Sequence, residues 1–238
     1  LGDNFNSHST LNVNVIAFWK RAIKVVSDAG FSNIWVKGNH EMTGVYGSPN
    51  HALQVLDGDP VLCVTRPTMW RDFLLMPYCD RPEDFVRAAN NFGTKRMICH
   101  QSFQGAQYEN SFFDPNGVDP DAISQQYVLS GHIHLPGWVG AKVCYPGAPR
   151  WRSISDANTD RALLVLDFEL GGAGPVNTIK IPTDKVCRPI YLLEDRPTAP
   201  AVIPLTPQGS PPPRIHLDLY GSIEHVRTRK AELEGKGY

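Results

Sequence analysis

The stretch Asn33-Ile34-Trp35-Val36-Lys37-Gly38-Asn39-His40-Glu41 decides the reading of this chain. Its first five residues predict a short buried strand, and Gly38 permits the tight backbone that points Asn39 inward at the strand's C-terminal end. Asn39 offers a neutral carbonyl oxygen, and His40 can donate a proton to a phosphoryl oxygen or a leaving group. Upstream, Ser9 or Thr10 is expected to cap a helix over 11–29 that stops at Gly30. Leu11, Val15, Phe18, Ala22, Val26 and Ala29 would form its apolar face, opposite Lys20, Arg21, Lys24 and Asp28.

Three further short motifs sit where strands should end: Gly2-Asp3, His100 and Gly131-His132-Ile133-His134. Further strands are expected over 61–65, 72–76, 95–100, 126–130, 138–144, 162–170 and 177–181, and a helix over 82–90. Elements that alternate early and become mostly strands later imply an α/β fold of two packed mixed sheets flanked by helices. Asp3 is suited to bridging two cations. His132 and His134, two residues apart on an extended segment, would project to one side, so each imidazole could serve a different metal. Asp, Asn and His without a thiol form the ligand set of hard-to-borderline divalent cations. A pair of such cations hydrolyses phosphate esters by polarising the phosphoryl group and acidifying water.

Composition bounds the reading. The chain has 238 residues, enough for one large domain and a smaller piece, with 42% hydrophobic and 20% charged residues, typical of a soluble protein. No apolar run is long enough to span a membrane, and nothing reads as a signal peptide. Cys63, Cys79, Cys99, Cys144 and Cys187 show no paired spacing, which favours reduced thiols and a cytoplasmic setting. Cys99, beside His100, reads as a small buried hydrophobe. A net charge of −1 argues against autonomous nucleic-acid binding, leaving two local basic clusters, Arg150-Trp151-Arg152 and Arg227/Arg229/Lys230. His8, His51, His216 and His225 have no partner at ligand spacing and read as surface residues. After Leu193 the composition shifts: 194–213 reads as a proline-rich linker, 214–220 as a strand and 222–233 as a helix that begins a further domain.

In order and spacing, Gly2-Asp3, Gly38–Glu41, His100 and Gly131–His134 resemble the calcineurin-like metallophosphoesterase superfamily. Gly2-Asp3-Asn4-Phe5, Tyr145-Pro146-Gly147-Ala148-Pro149 and the proline-rich linker to a strand–helix unit are most similar to the SbcD-type nuclease subunits. The resemblance implies a metallophosphoesterase sandwich over 1–193, a linker over 194–213 and the start of a cap domain over 214–238. It implies one metal site of Asp3, Asn39, His100 and His132. The other would hold Asp3 and His134, with its Asp-x-His partners and the first strand expected upstream of Leu1. His40 would contact the scissile phosphate, and Arg150 and Arg152 would contact substrate. The cofactors implied are two divalent ions, manganese favoured, with iron, zinc or magnesium admitted by the ligands. The partners implied are DNA, an SbcC-type ATPase and a second copy of the chain, in DNA repair and recombination. Glu41 is also similar to the serine/threonine phosphatases, so a phosphatase or small-molecule phosphodiesterase is the alternative enzyme. A non-catalytic scaffold of the same fold is the alternative from another class.

Overall fold

Four short apolar segments build the centre of the protein: Phe73–Met76, Arg96–Cys99, Tyr127–Ser130 and Val143–Tyr145. Strands buried on both faces read as continuous apolar runs rather than alternating ones, and they pair in parallel. In the computed structural model, which describes residues 1–5, 10–44, 48–108, 111–150, 160–184 and short stretches between 186 and 232, these segments are β4, β5, β6 and β8. Counting from the N-terminus, β1 is Asn33–Val36, β2 Val61–Val64, β3 Thr68–Trp70 and β7 Gly137–Val139. A six-stranded sheet runs in the order β3-β4-β5-β6-β8-β7. Its four inner strands are parallel, and antiparallel β3 and β7 close the edges. β1 and β2 form a separate parallel pair, Asn33 opposite Val61 and Val36 opposite Val64.

Alternation along β4 shows what each face of the large sheet covers. Leu74 and Met76 join Met97, Cys99, Val128 and Val143 in one cluster, together with Phe85 and Ala89 of helix α2 (Pro82–Asn90). Phe73 and Leu75 face the other way and pack with Val36 of β1 and Val64 of β2. The small sheet thus shares an apolar layer with the large one. Fully burying each such side chain contributes roughly 1.5–3 kcal/mol. Helix α1 (Val13–Asp28) lies beyond the small sheet, where Ile23, Ile16 and Trp19 pack with Trp35, Leu53 and Leu56.

Arg96 belongs to the same sandwich layer and is 2% exposed. Its guanidinium sits 4.7 Å from the Phe168 ring and 5.5 Å from that of Phe73. Its Nη1 pairs with Asp72 at 2.5 Å, while Nε and Nη2 donate to the carbonyls of Ala173 and Glu169. A buried cation is tolerable when each donor finds an acceptor. Here it also ties the Phe168–Ala173 loop to the sheet.

The expected α/β character is observed, with several corrections. α1 is capped by Asn12, whose side chain accepts from Asn14 N–H at 2.8 Å, rather than by Thr10; Ser9 lies outside the described residues. The buried face is Ile16, Trp19 and Ile23, whereas Val15, Phe18 and Val26 are exposed. The expected strand over 138–144 is instead the antiparallel pair β7–β8, turned at Gly140, whose φ is 56°. β3 had no counterpart among the expected strands. His51 is half-buried, opening the 3-10 helix Ala52–Leu56, and is not a surface residue.

The chain divides into two compact units, Leu1–Gly147 with Leu164–Lys180, and Ala148–Leu163 with Ile181–Tyr238. This cut differs from the compositional one at Leu193. β9 (Arg161–Asp167) and β10 (Asn177–Asp184) pair as a two-stranded sheet. In the second unit β11 (Val186–Cys187) pairs in parallel with β13 (Arg214–Ile215), and β12 (Ile190–Leu192) with β14 (Asp218–Tyr220). The proline-rich 194–213 lies outside the described residues. Among the described residues no helix is long and apolar enough to cross a membrane.

Candidate metal centre

Parallel strands bring their C-terminal ends to one edge of a sheet, where open α/β folds place their ligands. β5 ends at Cys99, one residue before His100, and β6 ends at Ser130, just before Gly131-His132. β1 ends at Val36, and its continuation is tied to the same edge: Tyr78 N–H, following β4, donates to the Lys37 carbonyl at 2.8 Å. Asn39 and His40 follow. Asp3 is brought in by the N-terminal segment.

The four groups converge. Asn39 Oδ1 lies 3.0 Å from His100 Nε2 and 3.1 Å from His132 Nδ1, and the two imidazole nitrogens are 3.2 Å apart. Asp3 Oδ2 is 3.3 Å from His100 Nε2. Ligand atoms of Asp3, His100 and His132 all lie within 4.8 Å of one another. The outer partners fix which nitrogen carries a proton. His100 Nδ1 faces the Leu1 carbonyl at 2.6 Å, an acceptor only, so Nδ1 donates and Nε2 is the nitrogen turned toward Asn39 and Asp3. His132 Nε2 lies 3.5 Å from the Tyr108 hydroxyl, which donates to Ser102 Oγ at 3.4 Å; Ser102 in turn donates to Asp114. That chain leaves the lone pair of His132 at Nδ1. A carboxylate, an amide oxygen and two imidazole nitrogens then face one another. With both rings neutral these atoms present lone pairs to one another, and a carboxylate, an amide oxygen and two imidazoles are a set that fits a divalent metal.

Close approach makes the site depend on missing side chains. A Cβ on Gly2 would stand 2.1 Å from His100 Nδ1, and one on Gly38 2.2 Å from Asp3 Oδ1. Asp3 and His132 themselves adopt left-handed φ values of 54° and 65°, a conformation costing an L-residue roughly 1–3 kcal/mol and concentrated at functional sites.

Burial and the neighbouring His100 push the His132 pKa down to about 4, with Asp3 opposing, so the ring is neutral and able to ligate at pH 7. For Asp3, burial pushes the pKa up, but the hydrogen bond and charge of His100, with His40, outweigh it and bring it to about 2. Cys99 is fully buried and its thiol is pushed up to about 12 by that burial, as befits an inert hydrophobe beside the site. Tyr78 stacks on His132, ring centroids 5.7 Å apart and 20° from coplanar.

His40 stands at the rim. Its backbone N–H donates to Asp3 Oδ1 at 3.0 Å, its Nε2 is 3.9 Å from Asp3 Oδ2, and its side chain is 32% exposed. His134 is not among the converging groups and exerts only a minor electrostatic influence on His132. The extended Gly131–His134 geometry is corrected: with His132 left-handed, Ile133 N–H donates back to the Gly131 carbonyl at 2.7 Å, and the alternation of a strand does not apply. Arg150 is exposed and belongs to the second unit, and Arg152 lies outside the described residues. Tyr108, Ser102 and Asp114 carried no sequence signal, because their loop meets His132 only through tertiary folding. No protein-family model and no curated protein matches this chain.

Proposed function

We propose that this chain is a metal-dependent phosphodiester hydrolase of calcineurin-like type, the nuclease subunit of an SbcCD-like complex acting on DNA. The observation that carries the reading is the convergence of Asp3, Asn39, His100 and His132 from four separate chain segments. The apolar layer shared by the two sheets supports a sandwich of the metallophosphoesterase kind. A divalent ion held by these residues, manganese favoured, supplies Lewis acidity toward a phosphoryl oxygen and lowers the pKa of water.

The chain's own residues orient and protonate. His100 and His132 are held in single tautomers by the Leu1 carbonyl and by Tyr108. His40 has its main chain fixed by Asp3 and its ring partly open to solvent, which suits proton donation to the departing oxygen. Its partners on this reading are DNA and an SbcC-type ATPase.

The test compares Mn2+-supplemented protein on duplex DNA, on bis(p-nitrophenyl) phosphate and on p-nitrophenyl phosphate, with a chelator control. Both diesters should be cleaved, the monoester poorly, and chelation should abolish all three activities. Cleavage of the monoester alone would replace the nuclease by a phosphatase. Bound metal without hydrolysis of any of them would leave a scaffold.

A further inference from the structure

We infer that Glu41 is a positioning residue: its carboxylate clamps the loop carrying Asp3 to the loop carrying Asn39, and it does not ligate metal or exchange protons with substrate. The inference rests on the metal-centre reading above and goes beyond it, since Glu41, an acidic side chain next to His40, would otherwise be read as a ligand or a base.

The geometry leaves little else for it to do. Glu41 is fully buried. Its Oε2 accepts from the backbone N–H of Asp3 at 2.9 Å and from that of Gly38 at 2.7 Å, while Oε1 accepts from Phe5 N–H at 2.9 Å. Three of roughly four lone-pair positions of the carboxylate are therefore committed to main-chain donors. Two of those donors lie 38 and 36 residues away in sequence, so the contact is tertiary and not a local turn. The lacing is reciprocal, because Asp3 Oδ1 accepts from His40 N–H at 3.0 Å. With one oxygen thus occupied and its backbone pinned in the left-handed region, Asp3 presents Oδ2 toward His100. Side-chain length matters: an aspartate, one methylene shorter, could not reach Phe5 and the Asp3–Gly38 pair together.

Two variants test this, Glu41→Gln and Glu41→Asp, with Phe85→Leu as a comparison. Phe85 is buried on α2, in a cluster that includes neither Asp3, Phe5, Gly38 nor Glu41. Gln keeps one acceptor but turns an NH2 group toward main-chain donors; Asp keeps the charge and loses reach. The readouts are Tm, Mn2+ affinity by calorimetry and the electron paramagnetic resonance line shape of bound Mn2+, without substrate. Loss of an outer-shell partner should weaken Mn2+ binding roughly 10–100-fold and broaden the signal in both Glu41 variants. Phe85→Leu should lower Tm yet stay within about twofold of the parent affinity, since Phe85 makes none of the hydrogen bonds that hold Asp3, Asn39, His100 and His132. Should Glu41→Gln fail to fold, Glu41→Asp is read in the same way. Parent-like affinity and line shape in a folded Glu41 variant would overturn the proposal, as would equal weakening by Phe85→Leu. Failure of the parent protein to take up Mn2+ would overturn the metal centre itself, and the proposal with it.

Discussion

Replacing Gly38 by Ala should destabilise this protein severely, against the usual direction of that substitution. At a position whose backbone any residue can adopt, Gly→Ala stabilises by roughly 0.4–1 kcal/mol through the unfolded state. Gly38 is not among the glycines with positive φ, so backbone strain is no objection. The objection is contact: the new Cβ would stand 2.2 Å from Asp3 Oδ1, 2.5 Å from Asp3 N and 2.9 Å from Glu41 Oε2. Ordinary contact begins near 3.4 Å, so the Asp3 loop must retreat by about 1.2 Å. That movement breaks the bond from Asp3 N–H to Glu41, now 2.9 Å, and the bond from His40 N–H to Asp3 Oδ1, now 3.0 Å. Hydrogen bonds to a charged group are worth roughly 1.5–3 kcal/mol each, so the predicted loss is about 3–6 kcal/mol, a large part of the 5–15 kcal/mol of a typical domain. Urea unfolding of the metal-free protein, followed by tryptophan fluorescence and by circular dichroism, measures it. A Gly38→Ala variant within about 0.5 kcal/mol of the parent would refute the close approach and the clamp built on it.

Three other outcomes are expected. His40→Asn should lower kcat by roughly 100-fold or more while leaving Mn2+ content unchanged, since the ring stands outside the converging donors; a variant retaining most of its turnover would remove the proton-donor role. Acid should destabilise the metal-free protein: above pH 6.5 His132 is neutral folded and unfolded, and between 6.5 and about 4 only the unfolded chain takes up the proton. Stability should therefore fall by about 3 kcal/mol across that window as pH drops, with Mn2+ affinity falling alongside, and His132→Gln should flatten both profiles. Arg96→Leu should cost about 3–5 kcal/mol in urea unfolding by stranding Asp72 and the carbonyls of Glu169 and Ala173, without altering Mn2+ affinity.

The site was more legible in the sequence than the fold around it, for a physical reason. Short apolar runs followed by glycine or histidine put Gly2-Asp3, Gly38–Glu41, His100 and Gly131–His134 at expected strand ends, whereas grouping Asp3, Asn39, His100 and His132 comes from the family resemblance. The buried face of α1 could not be placed from local signals. Its apolar residues nearly surround the helix, and only the position of Trp35 decides that Ile16, Trp19 and Ile23 face inward while Val15, Phe18 and Val26 do not. The extended geometry expected of Gly131–His134 was corrected for a related reason. Same-side projection assumes a strand, and nothing local announces that His132 turns left-handed; the rings against it, Tyr78 and Tyr108, belong to other segments. Glu41 shows where local chemistry stops. Its sequence neighbours suggest an acid or a ligand, yet the donors that occupy it belong to Asp3, Phe5 and Gly38, two of them across a long sequence gap. A carboxylate beside a metal motif ligates only if its oxygens are uncommitted, and that is a property of the folded main chain. Counting N–H donors around each acidic side chain separates the residues that hold a cation from those that hold the holders.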